Sequence, residues 1–266
     1  MHTILPALLL ACLLQAPAND PHQFPATQNT TTPRPEFEVA TIKPHPLGDR
    51  TISLGGDAGR YAAKNVTLKL LVEQAYNVPS DQVSGGPDWT GTQSFDIEAK
   101  ILDDTWEKIG KLGYHLQQQA IRPMLQSLLA DRFRLVLRKE PRELRVYALV
   151  VAKGGPRLRP AGSPRLAERF TRGAFYAMAL DQDNIPVAEL ADFLQGHFNR
   201  TVLDQTGLEG NYRIAFAVPI PPENSDIDVD SAVFQALDDQ LGLKLESRKA
   251  IVDTIVVEHA DQPSDN

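Results

Sequence analysis

"NVTLKLLVEQAYNVPSDQVSGGPDWTGTQSFDIEA" (residues 65–99) lies without a gap over "NIPVAELADFLQGHFNRTVLDQTGLEGNYRIAFAV" (184–218) when the chain is shifted by 119 positions. Few residues are identical, yet apolar character agrees at spaced positions: Leu68 meets Val187, Leu71 meets Leu190, Ala75 meets Leu194, Val83 meets Val202 and Trp89 meets Leu208. Asn65 meets Asn184, Gly91 meets Gly210, and Phe95 and Ile97 meet Ile214 and Phe216. A shift of 108 then lays "LQSLLADRFRLVL" (125–137) over "VFQALDDQLGLKL" (233–245), with Leu129 on Leu237, Phe133 on Leu241 and Leu137 on Leu245. The two shifts differ by 11, which places an insertion within "KILDDTWEKIGKLGYHLQQQA" (100–120), in the first copy only. Spacing that agrees where identity does not is the mark of a duplicated structural unit, and such repeats decide the fold.

Each copy spells the same elements. Leu68, Leu71 and Ala75 have helical spacing after Asn65-Val66-Thr67, as do Val187, Leu190 and Leu194 after Asn184. A short strand near Val83 or Val202 follows, then a Gly-bearing turn, then an alternating strand at 95–99 or 212–218. "AIRPMLQSLLADRF" and "DSAVFQALDDQLG" read as second helices. Two strands close each copy: "RLVLRKE" and "LRVYALVVAK", joined around Pro141, and "LKLESRK" and "VDTIVVEHA". The expected fold is α+β, as two tandem copies of a β-α-β-β-α-β-β module at 36–160 and 161–260, two helices packing on small mixed or antiparallel sheets.

The glycines between Val83 and Ser94 raise the question of a ligand loop. Gly85 and Gly86 tolerate positive φ and Pro87 fixes its own, so the stretch reads as a turn between strands. Trp89 stands where the other copy has Leu208, which is how a core residue behaves; Gly91 and Gly210 read as one shared bend that a Cβ would hinder.

The ends of the chain differ in character from its middle. Ile4 to Leu14 form an apolar core followed by Ala16-Pro17-Ala18, so residues 1–18 read as an export signal, although only His2 precedes the core where Lys or Arg is usual. A second reading takes "LLAC" (9–12) as a lipobox with Cys12 lipidated. Residues 19–35, rich in Pro, Thr, Asn and Gln, read as a disordered linker, and 261–266 as a polar tail. The expected location is periplasmic or extracellular, either released or anchored through Cys12. No apolar run in the mature chain approaches the roughly 18 residues of a membrane span.

Little in the sequence points to catalysis. Cys12 is the single cysteine, so the mature chain offers no thiol chemistry. The six histidines have no metal-pair spacing, and no G-x-S-x-G, S-x-x-K, H-E-x-x-H or P-loop motif occurs. Asp226, Asp228 and Asp230 alternate in an acidic run, but Ser231 and Leu237 replace the glycine and glutamate of a calcium loop, and Asp230-Ser231 reads as a helix cap. No catalytic residue, metal or cofactor is expected. Charge is uneven: 132–172 hold 12 Lys+Arg against 3 Asp+Glu, and 173–266 hold 5 against 17. Arg134, Arg138, Lys139, Arg142 and Arg145 form a basic hairpin that could meet an anionic partner, or the basic and acidic parts could face one another. With only Tyr147 interleaved, nucleic acid is not the expected partner.

"FEVATIKP" (37–44), "SGGPDW" (84–89), "LLADRFRLVLRKEPRELRVYALVVAKGGPRL" (128–158) and "LGLKLESRKAIVDTIVVEHADQPSDN" (241–266) resemble a soil-associated exported protein family, abundant in acidobacteria, whose shared domain has no assigned function. The resemblance implies export and supplies no catalytic residues. Each copy is also similar, in its order of helices and strands, to the short N-terminal domain of secretins and TonB-dependent receptors, which implies docking of protein partners. The leading expectation is therefore an exported, non-enzymatic binding module for a protein or an anionic envelope component, contacted at sheet edges beside a cleft between the copies. The alternative is an extracytoplasmic hydrolase with its site between the copies; a small-molecule or polysaccharide binder is a third.

Overall fold

The computed structural model describes residues 34–46, 48–56, 58–166, 170, 176–220 and 228–264. The expected signal, Cys12 and nearly all of the 19–35 linker lie outside them. In chain order the first half contains β1 (Val39–Pro44), β2 (Ser53–Gly55), β3 (Arg60–Thr67), α1 (Leu68–Tyr76), β4 (Val83–Gly85), β5 (Ser94–Lys100), α2 (Asp103–Ile109), α3 (Tyr114–Arg132) and β6 (Val136–Val151). The second contains β7 (Arg159–Pro160), β8 (Tyr176–Ile185), α4 (Val187–Phe198), β9 (Val202–Asp204), β10 (Tyr212–Pro219), α5 (Val229–Ala236), a π-helical turn (Leu237–Leu241) and β11 (Leu243–His259). The fold is mixed α+β, with sheets ordered β1-β5-β3-β2, β7-β10-β8 and β4-β11-β6-β9 among the described residues. No described helix is long and apolar enough to cross a membrane.

The two helices anticipated from spacing are present. Thr67 Oγ1 accepts from Leu70 N at 3.2 Å to start α1, which buries Leu68, Leu71, Val72 and Ala75; α4 buries Val187, Leu190, Ala191 and Leu194. Both end on an asparagine in the left-handed region, Asn77 and Asn199, a conformation asparagine tolerates better than most side chains. Asn65 and Asn184 also hold positive φ, +54° and +59°, at bulges just before each helix. There the β3–β5 register shifts between Ala63 and Val66, and the β8–β10 register between Gln182 and Ile185.

Those bulges correct the superposition of the next strand. Ile97 faces Ala63 and Phe95 faces Val66, whereas Ile214 faces Gln182 and Tyr212 faces Ile185. Counted from the bulges, Ile97 corresponds to Ile214 and Phe95 to Tyr212, two residues away from the ungapped match. A slip of two leaves every side chain on its own face of the sheet, so the apolar pattern does not reveal it.

A second correction concerns the closing strands. Each expected pair is one continuous strand, the 16-residue β6 and the 17-residue β11, paired antiparallel with Glu143 opposite Ile251 near the middle. Pro141 does not break β6, and the basic residues Arg138 to Arg145 lie along a strand rather than a hairpin. At Pro141 the only described neighbour is β11, because β9 covers only Tyr147 to Leu149; a residue without N–H is tolerated beside an open strand edge.

This ribbon joins two hydrophobic cores. The first gathers Leu71, Phe95, Ile97, Leu129 and Phe133 with Ile255 and Val257 from β11. The second gathers Leu190, Leu194, Ile214, Phe216 and Leu237 with Leu149 from β6. Accordingly β4 pairs in parallel with β11 (Val83 with Ile255), and β9 in parallel with β6 (Val202 with Tyr147). Between the cores, Asn199 Oδ1 accepts from Ser80 N at 3.2 Å and Gln82 donates to Thr201 Oγ1; both contacts join residues 119 apart.

One bulge carries a pH-dependent support. Asp96 Oδ1 accepts from Asn65 N at 3.0 Å and lies 2.7 Å from His45 Nδ1. That hydrogen bond to Asp96 holds the His45 imidazolium above the usual histidine range. With the folded value raised, the stabilisation is complete below the unfolded value of about 6.5 and disappears as pH rises through the folded one. His45→Gln is therefore expected to lower the urea midpoint more at about pH 5.5 than at about pH 8.5; equal losses at both would contradict this account.

Candidate functional site

Where α1, α3 and α4 meet, the surface opens into a cavity of about 440 Å³, within the range of small-ligand sites. Helix α1 and its exit contribute Leu70, Glu73, Gln74 and Asn77; α4 contributes Asp192, Phe193, Gln195 and Gly196; α3 contributes His115, Gln118, Ile121, Arg122 and Leu125. The α3 set recurs every three or four residues, so one helix face supplies it. Glu73 and Asp192 are again 119 positions apart, as are Gln74 and Phe193, and Asn77 and Gly196.

The N-terminal part of α3 lies in the stretch 100–120, expected from the sequence to hold an insertion, and reaches across to α4. The His115 ring meets Phe193 edge-on at 5.4 Å, Gln119 donates to Glu189, and Leu116 packs on the second core. Arg122 donates from Nη2 to Asn77 Oδ1 at 2.7 Å, with Nη1 3.6 Å from Asp192 Oδ2. Gln126 donates to the Ala75 carbonyl at 2.8 Å, tying α3 to α1.

Burial sets the protonation of this wall. It pushes the His115 imidazole below its ordinary value, with the Arg122 charge adding to the effect, so the ring is neutral near pH 7. Its Nε2 is buried without a hydrogen-bond partner, 3.8 Å from Glu189 Oε2. Burial also raises the Glu73 carboxyl, tempered by Lys69 one turn earlier. Desolvation lowers Arg122, which Asp192 opposes. Among the described residues, no group of three or more His, Cys, Asp and Glu side chains is placed to hold a metal ion.

A model of the family described as "Protein of unknown function (DUF3738)" matches residues 69–260. The chain belongs to that family. The DUF3738 match takes in all three helices of the cleft apart from Leu68, whereas β1, β2 and β3, with the cleft residues Leu54 and Tyr61, precede it. No curated protein matches the chain, and no solved structure does.

The residues singled out in the sequence lie elsewhere in this DUF3738 chain. Arg138 pairs with Glu140 and Glu258, Arg142 with Glu140, and Lys139 with Asp253. The basic and acidic parts thus meet across the ribbon, at exposed side chains. Arg145 stands opposite Lys249, and Arg134 follows α3 with φ +49°. Gly85 is the last residue of β4; with φ +76° and a would-be Cβ 2.7 Å from the Val257 carbonyl oxygen, it admits no side chain. Gly86 (φ +79°) and Pro87 continue the turn, and Trp89 stacks on Phe133 at 6.4 Å beside the first core. Gly91 and Gly210 are not one shared bend: Gly210 has φ +84°, Gly91 lies outside the left-handed region, and neither would place a Cβ within 4 Å of another atom. Asp228, rather than Asp230, caps α5, accepting from Ser231 N at 2.8 Å; Asp230 meets His197 at 3.1 Å, and Asp226 lies outside the described residues.

The cleft residues carry no distinguishing mark in the sequence. Glu73, Gln74, Asp192 and Phe193 occupy the faces of α1 and α4 that an amphipathic pattern assigns to solvent. The available signal was the stretch 100–120, where the two sequence shifts of 119 and 108 disagree and which holds His115, Gln118 and Gln119.

Proposed function

We propose that the protein is an exported, two-unit binding module that receives its partner in the cleft between α1, α3 and α4. The observation that carries this is the cavity of about 440 Å³ with the half-buried carboxylate of Glu73 in its wall. In this reading the two halves are copies of one unit related by an approximate twofold axis. The strand registers support it: Val83 pairs with Ile255 as Val202 pairs with Tyr147, pairs related by the two sequence shifts of 119 and 108. On a twofold axis a residue touches its own counterpart, as Gln82 and Thr201 do, and as Glu143 and Ile251 do in the ribbon. The cleft then lies between equivalent helices, with the insertion of one copy making it asymmetric. An anionic partner on Arg138, Lys139 and Arg142 would have to displace Glu140, Glu258 and Asp253, so we place recognition in the cleft.

Gly196 lines the cleft, and its Cβ position is open, so Gly196→Trp fills the space without entering either core. Fractions of an envelope extract are expected to contain a ligand that raises the melting temperature of the mature chain by about 5 °C when near-saturating. The same fraction should leave Gly196→Trp unmoved. Stabilisation of both proteins alike, or of neither by any fraction, overturns the reading. Export is supported by Ile4 to Leu14 and the Ala16-Pro17-Ala18 site; the mass of the secreted chain should correspond to a start at Asn19, whereas a lipid-modified Cys12 at the N-terminus would favour the anchored form.

The hydrolase alternative falls on the same cleft. Burial that moves a carboxyl up and an imidazole down is how sites prepare an acid and a base. Turnover of an ester, amide or glycoside that Glu73→Gln abolishes would establish it in place of simple binding.

A further inference from the structure

The groups facing the cleft divide into those already engaged and those not. Arg122 is held between Asn77 Oδ1 and the Asp192 carboxylate, so this cation and anion answer one another. Gln195 donates to the Asn77 carbonyl and accepts from Val202 N, and Asn199 bonds Ser80 in both directions. What remains unengaged and accessible among the described cleft residues is Glu73, with the amides of Gln74 and Gln118; the Nε2 of His115 is buried behind them. Every one of the three accessible groups can present an acceptor: a carboxylate and two amide oxygens. Among the described residues, the one guanidinium lining the cleft is that of Arg122, already beside Asp192. Ile121 and Leu125, both nearly inaccessible, and Phe193 supply an apolar wall beside them.

Resting on the reading of this cleft as the recognition site, we propose that it binds an alkylammonium group, its nitrogen on Glu73 and its stem against Ile121, Leu125 and Phe193. An –NH₃⁺ group has three donors and no acceptor, the complement of a wall offering a carboxylate and neutral acceptors. A carboxylate or phosphate would meet Glu73, and among the described residues lining the cleft no uncommitted cation offsets the repulsion, since Lys69, one turn away on α1, lies outside the lining. A purely apolar ligand would leave Glu73 facing it unpaired, at a cost that selects against it. A half-buried carboxylate forms a stronger ion pair than an exposed one because water screens it less. Lysine-bearing peptides and small amines are the ligand class that meets these conditions.

Affinity also acquires a pH dependence whose sign follows from the groups facing Glu73: Lys69 on its own helix, His115 and Arg122 on α3, and Asp192 on α4. Acidification protonates Glu73 from its raised value and removes the anionic acceptor, while protonation of His115 beside it adds a positive charge that opposes the ammonium. Binding of an ammonium weakens toward acid pH and is accompanied by proton release from Glu73.

The test titrates three capped peptides into the full mature chain by calorimetry: acetyl-Gly-Lys-Gly-amide, its norleucine analogue and its glutamate analogue. The lysine peptide should bind at least about tenfold more tightly than the norleucine one, the worth of one charge-assisted contact. Glu73→Gln, a near-isosteric change at a half-buried position, should bring the two within about twofold while its melting temperature shows that it is folded. Equal affinities in the wild type, a tighter glutamate peptide, undetectable lysine-peptide binding, or a preference that survives Glu73→Gln each overturns the ammonium assignment. The cleft reading is judged separately by Gly196→Trp: a norleucine or glutamate peptide that binds, and whose binding that variant abolishes, leaves the cleft standing and removes only the ammonium.

Discussion

Leu149→Ala is expected to lower stability by about 2–5 kcal/mol, a large part of the roughly 5–15 kcal/mol of a typical domain, and to do so in both cores at once. Leu149 is fully buried in the second core, although it belongs to the strand that ends the first half. The same strand begins at the first core, where Leu135 and Leu137 pack, and β11 runs the opposite way with Leu243 in the second core and Ile255 and Val257 in the first. Neither core can lose its segment of the ribbon without disturbing 16 paired positions that end in the other. The two tryptophans, Trp89 and Trp106, both pack on the first core and so report on it alone. If the molecule unfolds as one unit, Leu149→Ala shifts the tryptophan-fluorescence midpoint in urea as far as the far-ultraviolet dichroism midpoint. A dichroism transition that moves while the fluorescence transition stays would show two cores unfolding separately and refute this coupling.

The same ribbon shows how much of the fold was legible beforehand. The helices at Leu68 and Val187, and the strands after them, follow from spacing, because a buried stripe must repeat with the period of its element. What spacing does not carry is the identity of the partner strand. Val83 buries the same face whether its neighbour comes from its own half or from β11, so the pairing of β4 with β11 leaves no trace in the apolar pattern. Pro141 misled for a related reason: it was read as a junction, whereas an open strand edge accommodates it. The two-residue slip at Phe95 stayed hidden because a strand has period two. The charges of Arg138 and Lys139 suggested an external anion because two of their carboxylates, Glu258 and Asp253, lie more than a hundred residues away in sequence.

The cleft was less legible still, and for a physical reason. A binding wall exposes polar side chains when empty, and in sequence these look like any solvated helix face. Glu73 and Asp192 acquire meaning only when α3 is laid across them. The break between the two sequence shifts was visible, but not that this stretch would open α3 and bring His115 against Phe193.

Gly242→Ala is expected to destabilise by about 3 kcal/mol or more, whereas Gly210→Ala, also at positive φ, should cost only about 1–2 kcal/mol and Gly91→Ala almost nothing. Gly242 ends the π-helical turn with φ +64°, and a Cβ there would lie 2.1 Å from the Gly155 carbonyl oxygen and 3.0 Å from Arg157 N. The neighbouring chain cannot move aside without loss. Ala152 N donates to the Gly242 carbonyl at 2.9 Å, Arg157 N to the Leu241 carbonyl at 2.8 Å, and Arg157 Nη1 to the carbonyls of Asp238 and Asp239. These bonds satisfy the end of the helix with the segment leaving β6, so a side chain at this position presses apart the two strands' points of departure. At Gly210 (φ +84°) nothing lies within 4 Å of a Cβ, so only the left-handed backbone opposes alanine; at Gly91 neither penalty operates. Urea midpoints for the three variants should therefore rank Gly242 lowest, then Gly210, then Gly91. Equal losses at Gly242 and Gly210 would mean that the contact with Gly155 relaxes freely and does not hold the ribbon to the second core.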